Sequence, residues 1–210
     1  MNLHDFLNRF ARDERGLAAE FALVLPLFLI LFLGTIDVGI YAWRINQAEK
    51  ATQAGARFAA VTNPLAEELL TASYVNTTVS TTAGNVTIGQ GDRIPREALG
   101  LLTCTNTSCT CTTSPCPGTT RDPDAFTALA TRMRAIYGAI EDTNIVVEYR
   151  GSGLGFAGDP NGPDIAPLIT VRLVNMQYTP VTLSPLGTTV SLPDFAYSLT
   201  SEDASGTASN

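Results

Sequence analysis

Few residues of this chain have the chemistry for catalysis, and their placement keeps them apart. The sequence holds one histidine, His4. A membrane-length apolar run separates it from every plausible nucleophile, so neither a Ser-His-Asp nor a Cys-His arrangement can be built along the chain. A two-histidine metal motif is impossible. These gaps predict a protein that is not an enzyme and carries no metal centre or cofactor. The cysteines say more. Cys104, Cys109, Cys111 and Cys116 sit together in CTNTSCTCTTSPC. An even number in an exported, loop-rich segment reads as two disulfides. Joining Cys109 to Cys111 closes too small a ring. That leaves Cys104–Cys109 with Cys111–Cys116, or Cys104–Cys111 with Cys109–Cys116. A four-cysteine zinc site is the competing reading, but the spacing lacks paired CxxC knuckles. The segment is expected to be a stapled surface loop available to a partner.

Other motifs carry less. Gly151-Ser152-Gly153-Leu154-Gly155 lacks the full GxGxxG pattern and no helix signal follows it, so it reads as a turn-rich loop. Asp203-Ala204-Ser205-Gly206-Thr207 faintly echoes a metal-adhesion motif but lies in a polar tail. The chain has 13 basic residues and a formal net charge of -7. No basic patch or stripe is present, which argues against nucleic acid as a partner.

The strongest physical signal is apolar. Residues 21–36, FALVLPLFLILFLGTI, contain no charge. Adding Leu17, Ala18 and Ala19 gives a stretch interrupted once, by Glu20. A spanning helix needs roughly 20 mostly apolar residues. A core helix of a soluble domain would instead show one polar face. A cleaved secretory signal is the other candidate, but no A-x-A pattern follows the core at the right distance. Arg9, Arg12 and Arg15 precede the span and only Arg44 stands just beyond it. That bias keeps the N-terminus in the cytoplasm. Glu20 is a costly residue at the edge of such a span, and a carboxylate there usually has a partner or a task.

Residues 13–39, DERGLAAEFALVLPLFLILFLGTIDVG, resemble the N-terminus of TadE-like proteins, pseudopilins or minor pilins of the tight-adherence (Flp) pilus system. The shared features are Glu14-Arg15-Gly16, the Glu20-Phe21 pair, the run from Ala22 to Pro26, and Asp37 after the apolar core. The alanine-rich continuation ending in Gly55-Ala56-Arg57-Phe58-Ala59 is also similar to the family. The resemblance implies cleavage by a prepilin peptidase between Gly16 and Leu17. It implies that Glu20 meets the free N-terminal amine of a subunit during assembly. Cleavage there puts Glu20 fourth in the mature chain, where the family usually has it fifth; a cut after Arg15 would restore the spacing but give up the glycine. The implied partners are the peptidase, other pilin subunits, the assembly machinery and the lipid bilayer. The implied location is the bacterial inner membrane, with the C-terminal domain periplasmic. Sequons at Asn76, Asn85 and Asn106 have no use in that setting.

These residues need elements to hold them. One helix is expected over residues 17–61, spanning the membrane over about 17–39 and then turning amphipathic. It would be roughly 65 Å long at about 1.5 Å per residue. Two helices broken near Gly34 or Gly39 are the alternative. Tyr41 and Trp43 fall where interfacial aromatics collect, and Asn63-Pro64 is a natural stop. Small residues Ala51, Ala54, Gly55 and Ala59 allow close approach, either to neighbouring subunits or to the protein's own sheet. Beyond lies an exported domain, residues 62–200, then a polar tail, 201–210; residues 1–16 are a cytoplasmic leader. A short helical turn is expected over 64–70 and a hairpin over 75–88. A helix is capped by Asp122 and Pro123, with Phe126, Leu129, Met133, Ile136, Tyr137 and Ile140 on one face. Strands are expected over 144–150, 168–177 and 189–199, with a wide loop over 180–187. The fold class is α+β: a long N-terminal helix, then a pilin-like domain with an antiparallel sheet, a packed helix and a disulfide-bearing loop.

Overall fold

The computed structural model describes residues 14–160 and 162–201. His4, the leader arginines Arg9 and Arg12, and the motif at Asp203 lie outside the described residues. The chain divides into two units, Met1–Trp43 with Tyr178–Val190 and Arg44–Gln177 with Ser191–Asn210.

Helix α1, Glu14–Val61, begins in the first unit and continues into the second. It does not break at Gly34 or Gly39. Pro26 lies inside it, in the apolar segment, where a proline is tolerated when nearby groups satisfy the freed carbonyl. The helix stops at Val61, just ahead of Asn63-Pro64, because the residue before proline avoids the α region.

In the second unit α1 changes character. Ala48, Ala51, Ala56, Ala59 and Ala60 are buried, with Thr52 and Thr62 among them. Each threonine hydroxyl donates to the carbonyl four residues back, Ala48 O and Phe58 O, both at 2.8 Å. Burial of the two hydroxyls therefore leaves no donor unmet. Of the two readings of the small residues, packing within the chain accounts for Ala51, Gly55 and Ala59. Ala54 stays half-buried. Gly55 shows why small residues are needed: a Cβ there would stand 2.9 Å from Cγ and Sδ of Met133 and 3.4 Å from Val171 Cγ1.

A one-turn helix α2, Glu68–Thr71, follows, then a hairpin of β1, Thr78–Thr81, and β2, Gly84–Thr87. The main sheet is antiparallel and five-stranded. Its strands are β3, Leu101–Cys104; β4, Cys109–Thr113; β5, Ile145–Arg150; β6, Leu168–Leu173; and β9, Phe195–Thr200, in the order β4-β3-β5-β6-β9. Register puts Leu102 opposite Tyr149 and Tyr149 opposite Ile169 on one face. With Ile145, Val147, Val171 and Leu173 they form the core side, all nearly or fully buried. The alternate row, Thr103, Glu148, Thr170 and Ser198, crosses the other face. This is the period-two division of a sheet covered on one side.

Helix α3, Pro123–Arg134, starts as its sequence dictates. Asp122 Oδ1 accepts from the backbone N–H of Asp124 at 2.8 Å and Ala125 at 3.0 Å. Its buried face is Ala125, Phe126, Leu129, Ala130 and Met133. The expected periodic face outlasts the helix: Tyr137 and Ile140 are buried but lie past its end. Gly138 is a poor helix former, and Arg134 Nε donates to Ile140 O at 2.9 Å, holding the irregular segment in place.

Two expected strands are each split. Residues 168–177 give β6 and the short β7, Gln177–Tyr178, separated at Asn175, which takes φ 56°. Asparagine is one of the few residues that enters this left-handed region readily. Residues 189–199 give β8, Val190–Ser191, and β9. Pro193 stands between them and has no N–H for a ladder. β7 and β8 pair with each other.

The cysteine segment is not a free loop. Cys104 is joined to Cys109 and Cys111 to Cys116. The first pair closes the β3–β4 hairpin, and Cys104 and Cys109 are buried. The threonines that alternate with cysteine in β4 suit a pleated surface.

Candidate functional site

The site is built on the apolar half of α1. Leu23, Leu27 and Leu31 are 77%, 70% and 67% exposed, and Val24, Phe28, Ile30 and Phe32 are more than half exposed. With Leu25, Leu29 and Leu33, also exposed, these positions go round the helix and do not form one stripe. Leaving a Leu, Ile or Phe side chain in water forgoes about 1.5–3 kcal/mol each. So many together require an apolar surrounding, and the helix fits a single-pass membrane anchor.

The expected processing residues lie at the near end of this helix. Gly16 and Glu20 are both exposed, four positions apart and so on one face, one turn from each other. A Cβ on Gly16 would meet no atom within 4 Å. The side chains of Arg15 and Leu17 lie outside the described residues. An ammonium created at Leu17 would stand within the first turn of the same helix as the Glu20 carboxylate.

At the far end, Asp37 is the residue with the most organised surroundings. It is 7% exposed. Its Oδ1 accepts from the Val181 N–H at 2.7 Å and from the Tyr178 hydroxyl at 3.2 Å. Its Oδ2 accepts from the Thr182 N–H at 2.9 Å and the Thr182 hydroxyl at 2.5 Å. The Tyr41 and Tyr178 rings lie 5.9 Å apart between centroids. A carboxylate near hydrocarbon is tolerated when donors surround it, and the 178–190 loop supplies them. Sequence reasoning noted Asp37 as an acid after the apolar core but did not find these partners. The available signal was the cost of that acid, which demands donors somewhere in the chain.

The remaining expected features are structural. The Gly-rich loop is organised around Asp164, which is 7% exposed. Its carboxylate accepts from the N–H groups of Tyr74, at 2.8 Å, and Gly158, at 2.9 Å. Tyr149 is fully buried, and Leu65 N–H donates to its hydroxyl oxygen at 2.8 Å, tying the end of α1 to the sheet. Burial pushes the Tyr149 phenol well above its ordinary value, against the opposing effect of the Leu65 hydrogen bond. Glu68 accepts from the Thr120 N–H at 3.1 Å and from the Thr120 hydroxyl. Partial burial pushes its carboxyl up, but the Thr120 and backbone hydrogen bonds outweigh that and leave it below 4.5. The four cysteines are all engaged in disulfides.

Comparison with known proteins bears on α1. Residues 17–57 match the family model described as TadE-like protein. No curated protein and no solved structure matches the chain. The matched residues contain Glu20, the exposed apolar segment, Asp37, Ala51, Ala54 and Gly55, whereas Glu14-Arg15-Gly16 and Phe58-Ala59 lie outside the match. Over residues 17–57, within α1, the chain is similar to TadE-like proteins.

Proposed function

We propose that the chain is a pseudopilin or minor pilin that takes part in assembling an adhesive, type IV-like Tad (Flp) pilus. The observation that carries this reading is the helix itself. An all-round exposed apolar segment, preceded by Gly16 and Glu20, leads directly into a folded α+β domain. A plain anchor has no use for a glycine and a glutamate at those positions. Members of the matched family are structural pilus components and not enzymes.

In this reading the protein sits in the bacterial inner membrane, leader in the cytoplasm and domain in the periplasm. A prepilin peptidase cuts between Gly16 and Leu17, since a residue without a side chain lets the scissile backbone approach an enzyme closely. The new ammonium and a Glu20 carboxylate are both costly in hydrocarbon, and pairing them reduces that cost. The amine comes from the same chain or from a neighbouring subunit. The disulfide-stapled β3–β4 hairpin at the sheet edge is offered to other subunits.

Replacing Gly16 with leucine in the native host tests the reading. The variant is expected to accumulate as precursor, migrating more slowly than the wild type, and to be lost from pili. If wild type and variant both migrate at full length, an unprocessed membrane-anchored envelope or adhesin domain is the better description.

A further inference from the structure

The 178–190 loop is more than a set of donors for Asp37. No charged residue stands between Arg172 and Asp194. Val181 is 55% exposed, Leu186 76% and Val190 37%. The residues between them are chiefly threonine, serine, proline and glycine. A loop facing water on a protein of this kind has no reason to avoid charge so completely while displaying its aliphatic side chains.

Its backbone is also unusually self-sufficient for a loop. Leu183 and Ser184 N–H donate to Pro180 O at 3.2 and 2.8 Å. Leu186 N–H donates to Leu183 O at 2.9 Å and Gly187 N–H to Ser184 O at 3.1 Å. Gly187 takes φ 65°, which closes the turn. Val181 and Thr182 N–H go to Asp37. Six of the loop's backbone N–H groups thus have partners within the protein, which favours placing irregular backbone near lipid.

The loop is fastened to α1 where the anchor ends. Phe21 to Tyr41 holds one charge, Asp37. At about 1.5 Å per residue that stretch is about 31 Å, close to the hydrocarbon thickness of a bilayer. Without the loop, Asp37 would cut the span short. With it, the apolar surface continues through Ile36 and Val38, 40% and 69% exposed, and Trp43, 55% exposed. The aromatic rings of Tyr41, Trp43 and Tyr178 mark the level of an interface.

We propose that the 178–190 loop is a second membrane contact, seated with Val181, Leu186 and Val190 in the interfacial layer of the bilayer where α1 leaves it. The occupant is lipid. Irregular backbone does not enter the hydrocarbon itself, so the contact is shallow, like that of an interfacial helix lying at the headgroup boundary. The loop shields Asp37 from lipid and fixes how deep the helix sits. This inference rests on the anchor reading of α1.

The test uses the full chain in phosphatidylcholine–phosphatidylglycerol vesicles. Trp43 is the sole tryptophan, so a Trp43→Phe background accepts one reporter at a time. Leu186→Trp reports the loop, and Leu31→Trp reports the span. Leu186 is exposed, so its replacement disturbs no packing. The Leu186→Trp reporter is expected to be quenched by lipids brominated near the headgroup. Quenching by aqueous iodide should be several-fold weaker than for free N-acetyltryptophanamide. Free iodide quenching without bromolipid quenching overturns the proposal if the Leu31→Trp reporter remains lipid-quenched, and leaves the anchor reading standing. Protection from iodide without bromolipid quenching means that protein covers the loop, which also overturns it. Loss of lipid quenching at Leu31→Trp removes the anchor reading and this inference together.

Discussion

Thr182 gives both its backbone N–H and its hydroxyl to one oxygen of Asp37, across a separation of 145 residues. Residues at the far end of the chain thus satisfy a carboxylate set at the end of a membrane-length apolar helix. Asp37→Asn keeps the shape but replaces an acceptor oxygen with a donor group that faces N–H donors. It is expected to release the 178–190 loop, raising its cleavage by a limiting protease several-fold. Thr182→Val, which removes only the hydroxyl, should give a smaller rise. Equal resistance of wild type and Asp37→Asn would show that the loop is held by other means.

A Cβ on Gly55 of α1 would stand 2.9 Å from Met133 of α3. Gly55→Leu forces atoms into space that Met133 and Val171 fill. The expected loss is about 1–3 kcal/mol, typical of an overpacked core. Gly55→Leu combined with Met133→Ala should recover part of it. Denaturant unfolding of the detergent-solubilised variants checks both.

Tyr149→Phe removes the acceptor for the Leu65 N–H and leaves that buried donor unmet. A loss of roughly 1–3 kcal/mol is expected. It should appear in the same unfolding experiment, with no change in the size of the mature chain.

Glu68 sets a dependence on acid. Its carboxyl is below the ordinary 4.5 in the folded protein. The stability it contributes is therefore fully present above pH 4.5 and is lost as pH falls through the lowered folded value. The Tm of the wild type should exceed that of Glu68→Gln at neutral pH, and the gap should close on acidification below pH 4.5. A gap that stays constant down to strong acid would remove Glu68 as the cause.

Much of the architecture is legible in the sequence, for reasons that differ by element. α1 declares itself by an uncharged run followed by small residues at helical spacing, and α3 by Asp122-Pro123 ahead of a periodic face. The hairpin of β1 and β2 follows from alternating Thr and Val around Ala83-Gly84-Asn85. The strand breaks at Asn175 and Pro193 were harder to place, because local β-propensity runs through both and only backbone conformation ends the ladder. β3 and β4 hid behind the cysteines: β3 is four residues long and β4 alternates cysteine with threonine, a pattern that reads first as a disulfide loop. The partners of Asp37 are least legible of all. Half of them are backbone N–H groups, which carry no sequence signature, and they lie 144 and 145 residues away. Sequence flagged the acid through its cost, and only the fold supplies the donors.

In the proposed function α1 is an assembly helix, trimmed at its near end and paired through Glu20. The intact mass of the protein extracted from membranes of the native host addresses it directly. The expected mass is that of a chain that begins at Leu17, with all four cysteines oxidised. A mass corresponding to the untrimmed 22.3 kDa chain in that host would contradict it.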